Sequence, residues 1–234
     1  MKRKIGISGC GNMGSAIVHK IVGLGIISVF DTNKGKLKTV TSIDKKSIKS
    51  ASDNKKLARS VDVLILAVKP KDITVVLDDI RDELPPRTLL ISIAAGVTTK
   101  FIEKQLGKKI AIIRVMPNMP ALIGAGISAI CKGTFAVKKD IAEAKALFLK
   151  LGQVVEVKED LMDAVTAISG SGPAYFFYLT EVLTTAGIGL GLDKETAHKL
   201  AVETAFGSAK LLKETGEKAG ALRARVTSKG GTTE

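Results

Sequence analysis

The feature that most constrains this chain is a run of three glycines near its start. Gly9, Gly11 and Gly14 stand in the spacing G-x-G-x-x-G, directly after the apolar segment Ile5 to Ser8. A helical pattern at Ile17, Ile21 and Leu24 follows. A short buried strand, a glycine loop and a helix in that order suit a diphosphate held on a helix N-terminus. Gly9 allows the tight turn, Gly11 lets backbone approach the diphosphate, and Gly14 lets helix and strand pack closely. Cys10, Asn12 and Met13 fill the loop between them. The first-turn N–H groups of such a helix have no partner within it, and the helix dipole adds attraction for an anion. The spacing alone is a weak signal, since a glycine-rich structural turn can show it. Its context strengthens it: a second strand, Ile26 to Phe30, ends in Asp31, where a ribose-binding carboxylate is expected.

The residues after Asp31 pull in two directions. A carboxylate there accepts hydrogen bonds from the ribose 2′-OH and repels a 2′-phosphate, whereas Thr32, Asn33 and Lys34 offer donors that could hold that phosphate. NADPH and NADH therefore both stay open. Asn54 precedes a helical stretch, Lys55 to Arg59. The next strand, Val61 to Val68, is almost uniformly apolar, as expected of a parallel strand buried on both faces. It stops at Lys69-Pro70, so Ala67, Val68, Lys69 and Pro70 should line a crevice at the carboxyl ends of the strands.

A helix (Asp72 to Leu84), a strand (Leu89 to Ile93) running into Ala94-Ala95, a helix (Thr99 to Leu106) and a strand (Lys109 to Val115) follow. Two later strands, Gly126 to Ile130 and Gln153 to Val157, flank an amphipathic helix, Asp140 to Leu151. This β–α alternation predicts an α/β fold, a Rossmann-type doubly wound sheet over residues 1–158.

Past residue 160 the pattern is helical. Ser169-Gly170-Ser171-Gly172 interrupts a helical run, and Pro173 restarts it where its missing N–H does no harm. The following helix, Ala174 to Ala186, carries Tyr175, Phe176, Phe177 and Tyr178. Asp193 caps another, whose Ala197, Leu200, Ala201, Ala205 and Leu212 form one apolar stripe. Two or three helices without a sheet make a thin domain, so residues 159–234 are expected to pair with a second subunit.

Net charge, +13, raises the question of nucleic acid. The basic residues are dispersed, however, and their one enrichment, Lys34 to Lys56, reads as a solvated helix and loop. With no Trp and few aromatics, base-stacking platforms are not expected; a basic field also attracts small anionic substrates. Neither a membrane span nor a metal site is expected. The two cysteines, Cys10 and Cys131, form no disulfide framework and fit a reducing, cytoplasmic compartment.

The end of the chain, Leu222 to Glu234, crowds hydroxyls and glycines. Such density can build a nest of donors for a small carboxylate, although composition slightly favours a frayed polar tail.

Five segments carry a family resemblance: Gly-Cys-Gly-Asn-Met-Gly (9–14), Ala-Val-Lys-Pro (67–70), Arg-Val-Met-Pro-Asn (114–118), Ser-Gly-Ser-Gly-Pro-Ala-Tyr (169–175) and Val-Thr-Ser-Lys-Gly-Gly-Thr-Thr (226–233). Together they resemble pyrroline-5-carboxylate reductase, collinearly over essentially the whole chain. The resemblance implies NAD(P)H-dependent reduction of 1-pyrroline-5-carboxylate to L-proline, by a dinucleotide domain joined to a C-terminal all-helical dimerisation domain. A homodimer or a ring of dimers is implied as the assembly. It places Asn54, Ala67 to Pro70, Ile93, Ala94, Ala95 and Asn118 around the cofactor with the glycine loop. Ser171, Ser228, Gly230, Gly231 and Thr232 would hold substrate, and Thr233 would hydrogen-bond the ring nitrogen as the catalytic residue. Lys229 stands where the family usually has proline, which should loosen the carboxylate loop. The family continues past the position of Glu234 into another helix that helps build the dimer, so a second domain shortened at its C-terminus is expected.

The chemistry implied is undemanding in side chains. Hydride transfer to an imine needs a protonated nitrogen, a positioned nicotinamide face and excluded water, so a catalytic acid–base pair is dispensable. His19 and His198, the only histidines, lie on helices outside the motifs. Two other readings share the first domain. A hydroxyacid oxidoreductase would need a lysine or histidine that Ser169 to Tyr178 does not offer. A non-catalytic dinucleotide sensor would have no use for the paired motifs at 169–175 and 226–233.

Overall fold

The computed structural model describes residues 3–234. In chain order the elements are β1 (Lys4–Ser8), α1 (Asn12–Ile21), β2 (Ile26–Phe30), α2 (Lys34–Thr41), β3 (Ile48–Ser50), α3 (Asn54–Arg59), β4 (Val63–Leu66), α4 (Ile73–Ile80), β5 (Leu89–Ser92), α5 (Thr99–Leu106), β6 (Ala111–Met116), β7 (Gly126–Lys132), α6 (Lys138–Phe148), β8 (Gly152–Glu156), α7 (Met162–Val165), α8 (Gly172–Gly189), α9 (Lys194–Thr215) and α10 (Ala219–Val226). The strands form one sheet in the order β3-β2-β1-β4-β5-β6-β7-β8. The first six run parallel, β7 is antiparallel to β6, and β8 is parallel to β7.

Strand periodicity divides the core between the two faces of the sheet. On one side Ile5, Ile7, Val63, Ile65, Ile113 and Val115 pack with Ile17, Val18 and Ile21 of α1 and Leu147 and Phe148 of α6. On the other, Leu64, Leu66, Leu90 and Ile112 pack with Leu57 of α3, Val76, Leu77 and Ile80 of α4, and Ile102 and Leu106 of α5. Strands buried on both faces need apolar residues at every position, which is why β4 reads Val-Leu-Ile-Leu without alternation. The doubly wound α/β architecture is thus present.

Element ends follow local chemistry. The Thr98 hydroxyl accepts from Phe101 N–H to start α5, and Gly107 ends it at φ 63°. Asp193 caps α9 by accepting from Thr196 N–H. Three differences from the sequence reading have physical causes. β3 has only three residues in a lysine-rich stretch, with Ile48 alone buried, too short for any period to show. The strand expected over 61–68 holds its ladder only at Val63–Leu66. Leu222 to Val226, taken as the start of the polar tail, belongs to α10.

The chain forms two compact units, Met1–Pro173 and Ala174–Glu234. Residues 159–173 pack with the first: Met162 is fully buried against Ala129 and Cys131 of β7. The second unit is built from helices, and within it few apolar side chains are covered. Ala197 and Ala201 are buried, whereas Leu200 and Leu212 of the expected stripe stay exposed. Where α8 and α9 approach, a Cβ on Gly187 would lie 3.2 Å from that of Ala197. Among the described residues no helix is long and apolar enough to cross a membrane.

Candidate active site

The order of the sheet reverses between β1 and β4, and the carboxyl ends of those strands open a crevice there, the position where ligands of open α/β sheets bind. The glycine loop lies at its floor, and each glycine has its own cause. Gly9 adopts φ 101°, and a Cβ on it would meet Ala67 O at 2.7 Å. A Cβ on Gly14 would overlap Gly9 O. At Gly11 a Cβ would meet nothing within 4 Å. Gly9 and Gly14 are therefore needed by the fold, while Gly11 leaves room for something else. Gly11 also heads α1 without a side-chain cap, and the first i→i−4 bond runs from Ser15 to Gly11, so the preceding N–H groups face outward without helical partners.

Two cavities flank the loop. One of about 310 Å³ is walled by Ser8, Gly9, Phe30, Asp31, Thr32, Asp53, Asn54, Val68 and, from the far side, Asp72, Val75, Val76 and Asp79. The other, about 520 Å³, brings Gly11, Asn12 and Met13 together with Ala67 to Pro70, Ile93 to Ala95 and Asn118. Nearly all the residues expected around a cofactor thus meet at two adjoining cavities. Four expected ones lie outside both linings. Cys10 and Gly14 are buried behind the loop, and Asn33 and Lys34 lie on the outer surface. The sequence reading missed Lys36, Pro117, Met119, Leu122 and Gly170 in the larger cavity and Asp53, Asp72 and Asp79 in the smaller. Lys36 could have been found from the Asn33 cap, whose side chain accepts from Lys36 N–H and so fixes the phase of α2.

The polar side chains of the crevice are held by hydrogen bonds. Asp31 accepts from Cys10 N–H at 2.6 Å on one oxygen and from Asn33 N–H at 2.7 Å on the other. It ties the glycine loop to the end of β2. Buried Asn54 accepts from the Ser8 hydroxyl at 2.7 Å and donates to Asp79 at 3.1 Å. Asn118 accepts from Ile127 N–H at 2.9 Å, pinning the turn after β6. Burial, with Asp31 adding to it, pushes the Cys10 thiol up to about 12 against the smaller opposing effect of Lys36. Cys10 is thus a packing residue with an unreactive thiol.

The sheet also carries a buried cation. Arg114 of β6 is 3.4 Å from Glu159, which also accepts from Thr99 N–H at 2.7 Å and from its hydroxyl at 2.6 Å. The next helical stretch contains a π turn, Thr166–Gly170, closed by the bond from Ser171 N–H to Thr166 O at 2.8 Å. Helical insertions of this kind often re-aim residues at functional sites. Here the turn presents Gly170 to the cavity, where a Cβ would meet Met116 Cε at 2.5 Å. Ser171 itself is exposed.

In the second unit, Ser228, Gly230, Gly231, Thr232 and Thr233 share one tight turn rather than a frayed end. Gly231 N–H donates to Ser228 O at 2.9 Å, Gly230 has φ 73°, and Gly230 N–H donates to the Glu234 carboxylate. Lys229 is exposed. Both histidines are exposed on their helices, His19 on α1 and His198 on α9.

Known proteins resemble this chain along almost its whole length. The family model described as pyrroline-5-carboxylate reductase dimerisation matches residues 159–234, and that described as NADP oxidoreductase, coenzyme F420-dependent, matches residues 4–96. Pyrroline-5-carboxylate reductase 1 of Bacillus subtilis is 38% identical over 237 residues, covering 99% of this chain and 80% of its own length. Among solved structures, a pyrroline-5-carboxylate reductase from Coxiella burnetii superposes with a TM-score of 0.87 at 37% identity, over 100% of this chain and 88% of that one. The Plasmodium falciparum pyrroline carboxylate reductase with NADP bound gives 0.87 at 33% identity, over 100% and 87%. A likeness of that extent takes in the glycine loop, the crevice and the helical second unit alike, and the chain belongs to the pyrroline-5-carboxylate reductase family.

Proposed function

We propose that this chain reduces the C=N bond of 1-pyrroline-5-carboxylate to give L-proline, using NADPH or NADH. The observation that carries the reading is the open cradle at Gly11. Outward N–H groups at the head of α1 meet free space between two cavities at the switch point of the sheet, which is what a dinucleotide diphosphate requires. Family membership supplies the substrate class.

In this reading residues 1–158 bind the dinucleotide and residues 159–234 serve substrate and dimerisation. Gly9, Gly11, Asn12 and Met13 cradle the diphosphate, with Asp31, Thr32 and Asn54 at the ribose end. Ala67 to Pro70, Ile93 to Ala95 and Asn118 form the wall against which a nicotinamide ring would lie. A bound reduced nicotinamide supplies the hydride. The chain's own task is to orient the imine and shield it from water. The imine enters already protonated from solvent, and Thr233 holds its nitrogen in place. Ser228, Gly230, Gly231 and Thr232 grip the substrate carboxylate, and the contact between Gly230 N–H and the Glu234 carboxylate supports the donor role of that turn. Ser171 is assigned to substrate binding as well. A homodimer, or a ring of such dimers, in the cytoplasm completes the proposal. Exposed aromatics on α8 and two buried free thiols fit it.

The test is NAD(P)H oxidation on addition of pyrroline-5-carboxylate, set against a panel of hydroxyacids and ketoacids. Turnover with the imine alone is expected. Turnover only with an alcohol or ketone, or none with any substrate despite cofactor binding, defeats the reading. Thr233→Val removes the hydroxyl but keeps the shape, and should lower kcat/KM about tenfold to a hundredfold while leaving dinucleotide affinity nearly unchanged. An unchanged kcat/KM removes Thr233 from the mechanism.

A further inference from the structure

We propose that the crevice selects NADH over NADPH, with Asp31 as the discriminating residue; this rests on the dinucleotide reading of that crevice. In sequence, Asp31 and the donors Thr32, Asn33 and Lys34 gave opposite indications. Their placement separates them.

Asp31 lines the smaller cavity with its carboxylate fixed by two backbone N–H donors, Cys10 and Asn33. Each oxygen accepts one of these bonds, and a carboxylate oxygen has capacity for a second. A ribose 2′-OH arriving beside the glycine loop can therefore donate to an acceptor that is already oriented. A 2′-phosphate brings up to two negative charges to the same oxygens.

The opposing donors lie elsewhere. Lys34 and Asn33 lie outside the cavity lining, on the exposed start of α2. Thr32 alone reaches the wall.

Three further carboxylates, Asp53, Asp72 and Asp79, complete the lining, which among the described residues includes no lysine or arginine. Asp53 is held below the usual carboxylate range by Lys56 N–H and then by the Ser52 hydroxyl, so it remains an anion. Asp79 is oriented by the Asn54 amide. The cations of the crevice, Lys36 and Lys69, line the neighbouring larger cavity instead. Positive charge thus serves the diphosphate common to both cofactors, and negative charge surrounds the position where they differ. The charge pattern attracts the dinucleotide and rejects the extra phosphate.

Calorimetric titration of the full chain with NADH and with NADPH, without substrate, tests this through affinity alone. NADH should bind at least tenfold more tightly. Asp31→Ser should reduce that ratio by tenfold or more. Because Asp31 also holds Cys10 N–H, a second variant keeps the result interpretable. Asp72→Asn removes a wall charge without touching the glycine loop, and should reduce the ratio about threefold. Equal or tighter binding of NADPH by the parent chain overturns the selectivity while the dinucleotide reading stands. A ratio unchanged in both variants overturns the role given to these carboxylates. Binding of neither dinucleotide overturns both the selectivity and the reading beneath it.

Discussion

Gly11 and Gly14 stand three residues apart in one loop, yet they answer to different demands. Gly14 is glycine because backbone of the preceding turn occupies the place of a Cβ. Gly14→Ala forces that backbone apart and should destabilise the first unit by about 3 kcal/mol or more. Gly11 has φ −70° and open space beside it, so Gly11→Val should leave the denaturation midpoint within experimental error while abolishing dinucleotide binding. Urea unfolding paired with calorimetry checks both; a destabilised Gly11→Val would mean that Gly11, too, is structural. The cysteines make a second residue-scale prediction. Burial raises both thiols to about 12, with help from Asp31 at Cys10 and from Glu159 at Cys131. Between the ordinary thiol value, 9.0, and about 12 the unfolded chain loses protons that the folded chain keeps. Stability therefore falls as pH rises through that window, by at most about 1.4 kcal/mol per pH unit for each thiol. Below the window the contribution is fully present. Cys10→Ala should flatten the slope of unfolding free energy against pH above 9 and leave it unchanged near neutrality; equal slopes would show that the thiol is not the titrating group.

At the scale of elements, the Arg114–Glu159 contact explains how residues 159–173 are held to the sheet although their helices are short. Glu159 sits at the N-terminus of α5, taking Thr99 N–H and hydroxyl, and faces a guanidinium whose side chain is only 4% exposed. Its other acidic neighbour, Asp163, lies 3.9 Å away with its side chain 93% exposed, too solvated to replace it. Glu159→Ala leaves a buried cation and should destabilise the first unit by about 3–5 kcal/mol, whereas the double change Arg114→Met with Glu159→Leu should lose much less. Equilibrium urea denaturation of both variants decides, and equal losses would show that the charges are unimportant. None of this was legible in the sequence, because an arginine inside an apolar strand does not announce its partner forty-five residues away. What was legible were elements set by repeating local causes. α5 is bounded by a capping threonine and a left-handed glycine, and it begins and ends where its spacing predicts. β2 was bounded correctly by its apolar run and the following aspartate. β3 and the π turn depend on pairing and on an inserted residue, so no period marks them. Of the crevice, the strand-end residues were readable because the fold class dictates where strands end. The aspartates of the far wall, Asp72 and Asp79, reach it from a helical stretch whose phase the sequence left open, whereas Lys36 was within reach of the Asn33 cap.

For the whole molecule, the second unit poses a problem of exposed area. Phe176, Phe177, Tyr178 and Leu179 of α8 are 54–68% exposed, and Phe206 of α9 is 63% exposed. A helix apolar on all sides, with small residues alone covered by its own chain, is half of a core, and contiguous patches of this kind mark protein interfaces. A second copy of the chain is the simplest complement, since an isologous interface lets each copy cover the other's α8 and α9. That symmetry sets the size of the expected effect. One substitution enters the interface twice, and a buried aromatic anchor is worth about 2 kcal/mol or more, so Phe177→Glu should weaken dimerisation by about 4 kcal/mol. This is about a thousandfold in Kd. Lys104→Glu, an exposed change on α5 of the first unit, is the matched control. Sedimentation equilibrium over a wide concentration range should find the parent and the control dimeric or larger and Phe177→Glu shifted toward monomer. Dinucleotide affinity should be retained in that monomer, because the cavities assigned to it are lined wholly by residues 8–170. A parent chain that sediments as a monomer at all concentrations would require some other cover for α8. A Phe177→Glu variant that remains as tightly associated as the parent would move the interface off this helix altogether.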